Sequence, residues 1–147
     1  MSQIADIVVY DGTTQRTLVD IAVHRDKGKV SAFWREQVAD VPIDGQVNVS
    51  LVSERLPSGV YKPELVVSVP VMEVAGASNA AGYVAAPKVA HIPRIVVTGY
   101  FHGRSTQTER TAALSLTGNI LLGLTANTAV GTSAPAPELF SQLVSPS

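Results

Sequence analysis

The residues best suited to chemistry stand on either side of Pro57-Ser58-Gly59. Ser50 and Glu54 precede this turn, Lys62, Glu64 and Ser68 follow it, and all of them fall on even positions. Two carboxylates near an ammonium are the raw material of acid–base catalysis of the glycosidase type. Centring the turn on Ser58, however, sets Glu54 opposite Lys62, Val47 opposite Val69, Val49 opposite Val67 and Leu51 opposite Leu65. The charges then share one open sheet face with Lys62 between the carboxylates, and nothing in the pattern builds a cleft. Lys62 is accounted for equally well as the exposed partner of Glu54 and as a ligand contact. His24, His91 and His102 lie far apart, with neither a carboxylate cluster nor metal-ligand spacing, so no metal site is expected. Cysteine is absent, which removes disulfides, thiolate ligands and thiol nucleophiles. With no nucleophile elbow, P-loop or dinucleotide fingerprint either, the chain is expected to be no enzyme and to need no cofactor.

The polar face must be carried by strands, because side chains alternate along a strand and the odd positions Val47, Val49, Leu51, Leu65, Val67, Val69 and Val71 are apolar. A long hairpin over Gln46–Val74 follows. Upstream, Ile4–Tyr10, the Asp11-Gly12 turn and Arg16–Arg25 predict a first hairpin, in which Leu18 or Val19, Ile21 and Val23 carry the apolar share. A polar turn at Asp26–Lys29 leads to a strand over Val30–Val38 that holds the only tryptophan, Trp34, as a packing residue. Ala75–Ala86 is small, uncharged and glycine-bearing, so it reads as a long functional loop before a last strand over Val89–Phe101. Pro93 donates no ladder hydrogen bond and belongs at an edge, a bulge or a strand start.

At Gly103 the period changes. Thr106-Gln107-Thr108-Glu109 fits a capping box, and Ala112, Ala113, Leu116, Ile120 and Leu124 then recur at helical spacing. Gly118 inside that helix costs roughly 1 kcal/mol relative to alanine, which close approach of another backbone would explain. Ser133–Val144 predicts a short second helix ended before Pro146. Strands first and helices last give an α+β class: an antiparallel sheet of six or seven strands, an N-terminal hairpin plus a five-stranded sheet, then two C-terminal helices. One domain over 1–147 is expected, with strands across 4–101 and helical structure across 106–144.

Two terminal helices can fold over their own sheet or reach across to a second copy. The small residues Ala112, Ala113 and Gly118 suit close packing on a partner, which favours an obligate homodimer with Ala113, Leu116 and Ile120 at its interface. Net charge −1 and a pI near 6.3 give no bulk electrostatic case for nucleic acid or membrane, so such contact requires a local patch. Met1–Asp6 lacks the features of a secretory signal and Pro, Asp, Lys or Ser interrupts every apolar run, which predicts a soluble cytoplasmic chain with no membrane partner.

In order and spacing, nearly the whole chain resembles the coat proteins of single-stranded RNA bacteriophages, the levivirus type. The resemblance rests on antiparallel strands followed by two helices, Trp34 in the third strand, the Val69-Pro70 step, the flexible loop, a last strand and the Thr106-x-x-Glu109 helix start. It implies interlocked helices of two subunits across a continuous sheet, an icosahedral shell, and a location in the virion after assembly in the bacterial host's cytoplasm. It also implies packaging of single-stranded genomic RNA, with an RNA hairpin bound on the inner sheet face as a translational repressor. Carried over by position, the RNA face comprises Ser50, Val52, Lys62, Glu64, Val66, Ser68 and Arg94. Ser50 and Lys62 match the family's hydroxyl and basic positions. Glu54 stands where a basic residue is expected, Glu64 replaces a small hydroxyl, and Ile92 lies near where an aromatic would stack on a base. The alternative is a dimeric sheet module that binds a protein or small ligand without building a shell.

Overall fold

The computed structural model describes residues 4–74, 76, 80–125, 129–131 and 133–147. Among these residues eight strands form where the alternating runs lie: β1 (Ile7–Tyr10), β2 (Gln15–Asp26), β3 (Lys29–Glu36), β4 (Asn48–Arg55), β5 (Tyr61–Ser68), β6 (Val71–Met72), β7 (Val89–His91) and β8 (Arg94–Thr98). The order β1-β2-β3-β4-β5-β8 makes one antiparallel six-stranded sheet, and β6 and β7 pair separately as a two-stranded ladder. The N-terminal hairpin is therefore continuous with the rest of the sheet through the β2–β3 pairing.

The long hairpin has the register that its turn and parity dictate: Val49 faces Val67, Leu51 faces Leu65 and Glu54 faces Lys62. Gly59 supplies the reversal at φ 85, a conformation that a side chain disfavours. The ladder ends earlier than Gln46–Val74, at Asn48 and Ser68. Beyond it the Val69 amide donates to the Pro93 carbonyl at 2.9 Å, and Pro70 has no N–H to continue the pairing. Pro93 accordingly sits at the junction of β7 and β8.

Strand β2 carries a bulge between Asp20 and Ala22, where Ile21 is left without a partner on β3. The extra residue lets Leu18, an even position, and Val23, an odd one, both turn to the apolar side. Strict alternation across Arg16–Arg25 fails for this reason: Leu18 is buried and Ile21 is 45% exposed.

The core lies on the apolar face of β2–β5, where Leu18, Ala32, Trp34, Val49 and Leu51 meet Leu139 and Phe140 from the C-terminal turns. Trp34 is 1% exposed, and its indole N–H donates to the Ala5 carbonyl at 2.8 Å, which fixes it as a packing residue. Leu139 and Phe140 come from one α-helical turn, Pro135–Pro137, continued by a π-helical turn over Glu138–Gln142.

Helix α1 (Gln107–Leu122) starts at the capping box: the Thr106 hydroxyl accepts from the Glu109 amide at 3.3 Å, and the Glu109 carboxylate accepts from the Thr106 amide at 2.7 Å. The Thr106 amide bonded to the carboxylate, with the Thr106 hydroxyl beside it, favours the ionised acid and lowers the Glu109 pKa. Arg110 ties the helix to the C-terminal turns by donating to the Ser141 carbonyl at 2.7 Å. No α1 residue is buried, although Leu114 packs against the core. Among the described residues, a Cβ added at Gly118 would meet nothing within 4 Å, so none of them accounts for this glycine by close approach.

Candidate nucleic-acid interface

The face opposite the core is organised as four rungs running across the strands. The first is Arg35, Asn48, Ser68 and Arg94, and the second is Phe33, Ser50, Val66 and Val96. Ser31, Val52, Glu64 and Thr98 form the third, and Lys29, Glu54 and Lys62 form the fourth. Each rung exists because antiparallel register sets residues of equal parity opposite one another.

All residues carried onto this face from the sequence lie there. Ser50 shares a rung with Val66, Val52 with Glu64, and Ser68 with Arg94. Lys62 and Arg94, the basic pair of that set, are nevertheless at opposite ends. Lys62 and Ser68 are six residues apart on β5, so a rise of about 3.3 Å per residue separates the two end rungs by roughly 20 Å. Charge is distributed unevenly between them. Glu54 stands between Lys29 and Lys62 on the fourth rung, while the Glu64 carboxylate on the third accepts from the Thr98 hydroxyl at 3.3 Å. The first rung has two guanidiniums and no carboxylate. Its Arg94 Nε donates to the Ser68 hydroxyl at 3.2 Å, with Ser68 itself buried.

On β3 the sequence reading missed this face altogether: Lys29, Ser31, Phe33 and Arg35 all lie on it. Trp34 in the core was the available signal, since alternation sends Phe33 and Arg35 to the other side. Phe33 is 38% exposed and meets the His24 ring edge-on at 5.6 Å between centroids, so an aromatic stands directly opposite Ser50. Glu54 and Glu64 line none of the described cavities, which removes the geometric basis for glycosidase chemistry. Among the described residues, no group of His, Asp or Glu is placed to hold a metal ion. Among them too, no helix is long and apolar enough to cross a membrane.

Three apolar surfaces lie uncovered on the other side. On α1, Leu116 is 62% and Ile120 77% exposed, in line with exposed Ala113. Strand β8 is the open sheet edge and carries Ile95 on this side, 64% exposed. A trough of about 650 Å³ runs between the N-terminal hairpin and the apolar face of β4 and β5, lined by Ile7, Val9, Leu18, Val47, Leu65 and Val67. Isolated soluble chains rarely leave this much contiguous apolar surface in water.

A meander sheet with one polar and one half-covered apolar face, followed by an exposed apolar helix, defines an α+β sheet-and-helix class. The chain belongs to the levivirus coat protein family, whose pattern it matches over residues 2–136. It is similar to a structure described as the virus-like particle of bacteriophage EMS014, with 32% identity over 98% of this chain and 99% of that one and a TM-score of 0.71. A separate structure of the bacteriophage EMS014 coat protein is 29% identical over 98% and 99% of the two chains, with a TM-score of 0.66. The virus-like particle of Beihai levi-like virus 21 is 26% identical over 84% and 88%, with a TM-score of 0.65. No curated protein sequence matches the chain. Membership in this family makes the chain a structural capsid protein of the virion and not an enzyme.

Proposed function

We propose that the chain folds as an interlocked homodimer, assembles into an icosahedral shell in the bacterial host's cytoplasm and packages single-stranded RNA against its polar sheet face. The observation that carries this reading is the exposed row Ala113, Leu116 and Ile120 beside the uncovered trough and the open β8 edge. A second copy related by a twofold axis covers all three at once: β8 pairs with β8, and each α1 lies over the partner's sheet. The two polar faces then become one continuous inner surface. Ser50, Val52, Lys62, Glu64, Val66, Ser68 and Arg94 of both subunits form its RNA-binding side, where a hairpin of the genome can be held as a translational repressor complex. Symmetry doubles each cation, which offsets a net charge of −1 per chain.

The β6–β7 ladder supports the segment 75–86, of which residues 75 and 77–79 lie outside the described part. Its base is fixed by the Glu73 amide bonded to the Lys88 carbonyl at 2.9 Å and by the Lys88–Glu73 ion pair at 3.5 Å. We assign that segment the role of switch between subunit environments at the symmetry axes, since small residues and glycine adopt several conformations at little steric cost.

Expression of the chain followed by size-exclusion chromatography and electron microscopy tests the assembly. Closed particles containing RNA are expected. A dimer that stays a dimer at high concentration would instead establish the non-assembling interaction module.

A further inference from the structure

Charge is segregated along the strands. At the end where β2 turns into β3 and β4 into β5, the exposed cations Arg25, Lys27, Lys29, Arg55 and Arg104 stand against Asp26. Glu54 and Lys62 cancel as partners on the fourth rung, as do the neighbours Glu109 and Arg110 in the first turn of α1. This end therefore carries +4 in a chain of net charge −1, which leaves −5 for the rest. Its turns are physically joined. The Arg55 amide donates to the Gly28 carbonyl at 3.2 Å, and Tyr61 and Phe101 exchange backbone bonds at 2.8 Å, which brings the 102–104 loop alongside. Arg25 is paired with Val30 and Arg55 with Tyr61, registers that put both on the core side of the sheet. RNA held on the polar face lies on the wrong side to meet them. At the other end of β4, roughly 23 Å away, the 37–45 segment carries Asp40 and Asp44. Both are exposed and neither has an ion-pair partner among the described residues, whereas Asp11 and Glu36 engage Arg16, and Glu73 engages Lys88. The Gln46 side-chain amide fixes this segment by donating to the Val38 and Val41 carbonyls, each at 3.2 Å. A separation of more than two Debye lengths, each about 8 Å at physiological salt, keeps the two ends from neutralising one another within a chain.

We propose that the cationic end is a docking surface for the Asp40–Asp44 end of a neighbouring dimer. The inference rests on the dimer in which β8 pairs with β8. Because that pairing is antiparallel, each long margin of the dimer carries the cationic end of one subunit and the acidic end of the other. Two such margins laid edge to edge meet cation with carboxylate at both places, and sliding one by half a dimer brings like charges together. Like-charge contact is penalised, so the bipolar margin selects the register in which dimers join. A single exposed ion pair is weak, but the shell repeats the contact at every such junction.

The test expresses the full chain in four forms and reads particle and dimer yield by size exclusion and electron microscopy. Arg25→Glu, Lys27→Glu and Arg104→Glu together reverse the cationic end. Asp40→Asn with Asp44→Lys reverses the other, asparagine being at ease at the φ of 66 that residue 40 adopts. Each set alone should lower particle yield by about tenfold or more and leave the dimer folded. All five substitutions combined restore complementarity with the signs exchanged, and should return the yield to within about threefold of the unmodified chain. An RNA contact at this end gives the opposite result, because the combined variant still lacks its cations. Carbodiimide joins amines to carboxylates at zero length. In unmodified particles it should link Lys27 or Lys29 to Asp40 or Asp44, and in dimers it should not, a readout that needs no variant to fold. A folded combined variant that stays dimeric, or particles without these cross-links, would overturn the docking surface and leave the dimer and shell reading standing. A chain that stays monomeric, or a dimer that builds no particle, would remove both.

Discussion

Replacing Leu116 and Ile120 together by alanine isolates the contribution of the α1 row to dimerisation. In the single chain these side chains are 62% and 77% exposed, so truncation there costs no more than about 0.5 kcal/mol per site, the usual size of a surface effect. Burial of a Leu or Ile side chain contributes about 1.5–3 kcal/mol, and the exposed fractions reduce the part gained on association to roughly 1–2 kcal/mol each. Twofold symmetry counts each residue twice. The double variant should therefore lose about 4–8 kcal/mol of dimerisation free energy, which raises the dissociation constant by roughly three to six orders of magnitude. Sedimentation equilibrium over a concentration series reads this directly. A concentration-dependent Tm reads it if the separated chains do not stay folded. A dimer dissociating within about tenfold of the unmodified protein, with circular dichroism intact, would show that this helix face is not the interface.

Lys62→Ala combined with Arg94→Ala should lower the RNA content of particles and flatten the salt dependence of binding, by about 0.9 in the log–log slope for each duplex phosphate no longer neutralised; packaging assays and nitrocellulose filter binding check both. Removing Gly82–Ala86 should change particle diameter or stop closure while the dimer remains folded, and electron micrographs of normal particles would count against a switch at the symmetry axes. Backbone N–H groups of Thr14 and Thr13 and the Arg16 guanidinium hold the Asp11 carboxylate, with its pKa lowered from 3.8 to about 2. A depressed carboxylate pKa means stability that is present above pH 3.8 and lost as pH falls toward 2, so amide exchange at the β1–β2 turn should accelerate across that window in the wild type and not in Asp11→Asn.

The long hairpin was legible because two independent signals agreed: the turn fixed a register, and parity put Val49, Leu51, Leu65 and Val67 on one side of that same register. The capping box was legible because it is local chemistry, four consecutive residues whose bonds depend on nothing distant. Where distant context decides, the pattern was ambiguous. Periodicity placed Ala113, Leu116 and Ile120 on one helix face, but their own sheet is covered instead by Leu139 and Phe140 from the C-terminal turns. On β3, the packing role of Trp34 masked Phe33 and Arg35, although the same alternation assigns both neighbours to the polar face. Lys62 and Arg94 were correctly put on one face, and their separation along it became visible only with the pairing of β5 and β8.

The bulge at Ile21 works as a phase shifter for everything upstream of it. Because strand orientation repeats every two residues, deleting this one residue would not displace the N-terminal hairpin but invert it. Leu18 would then turn to solvent with its partner Ile7, while Thr17 and Val8, cross-strand partners on the opposite side, would be pressed toward the core. What counts as the inside of this hairpin is thus written outside it, in a single spacer residue on the strand that carries it. A hairpin exchanged between related shell proteins keeps its meaning only if that spacer travels with it.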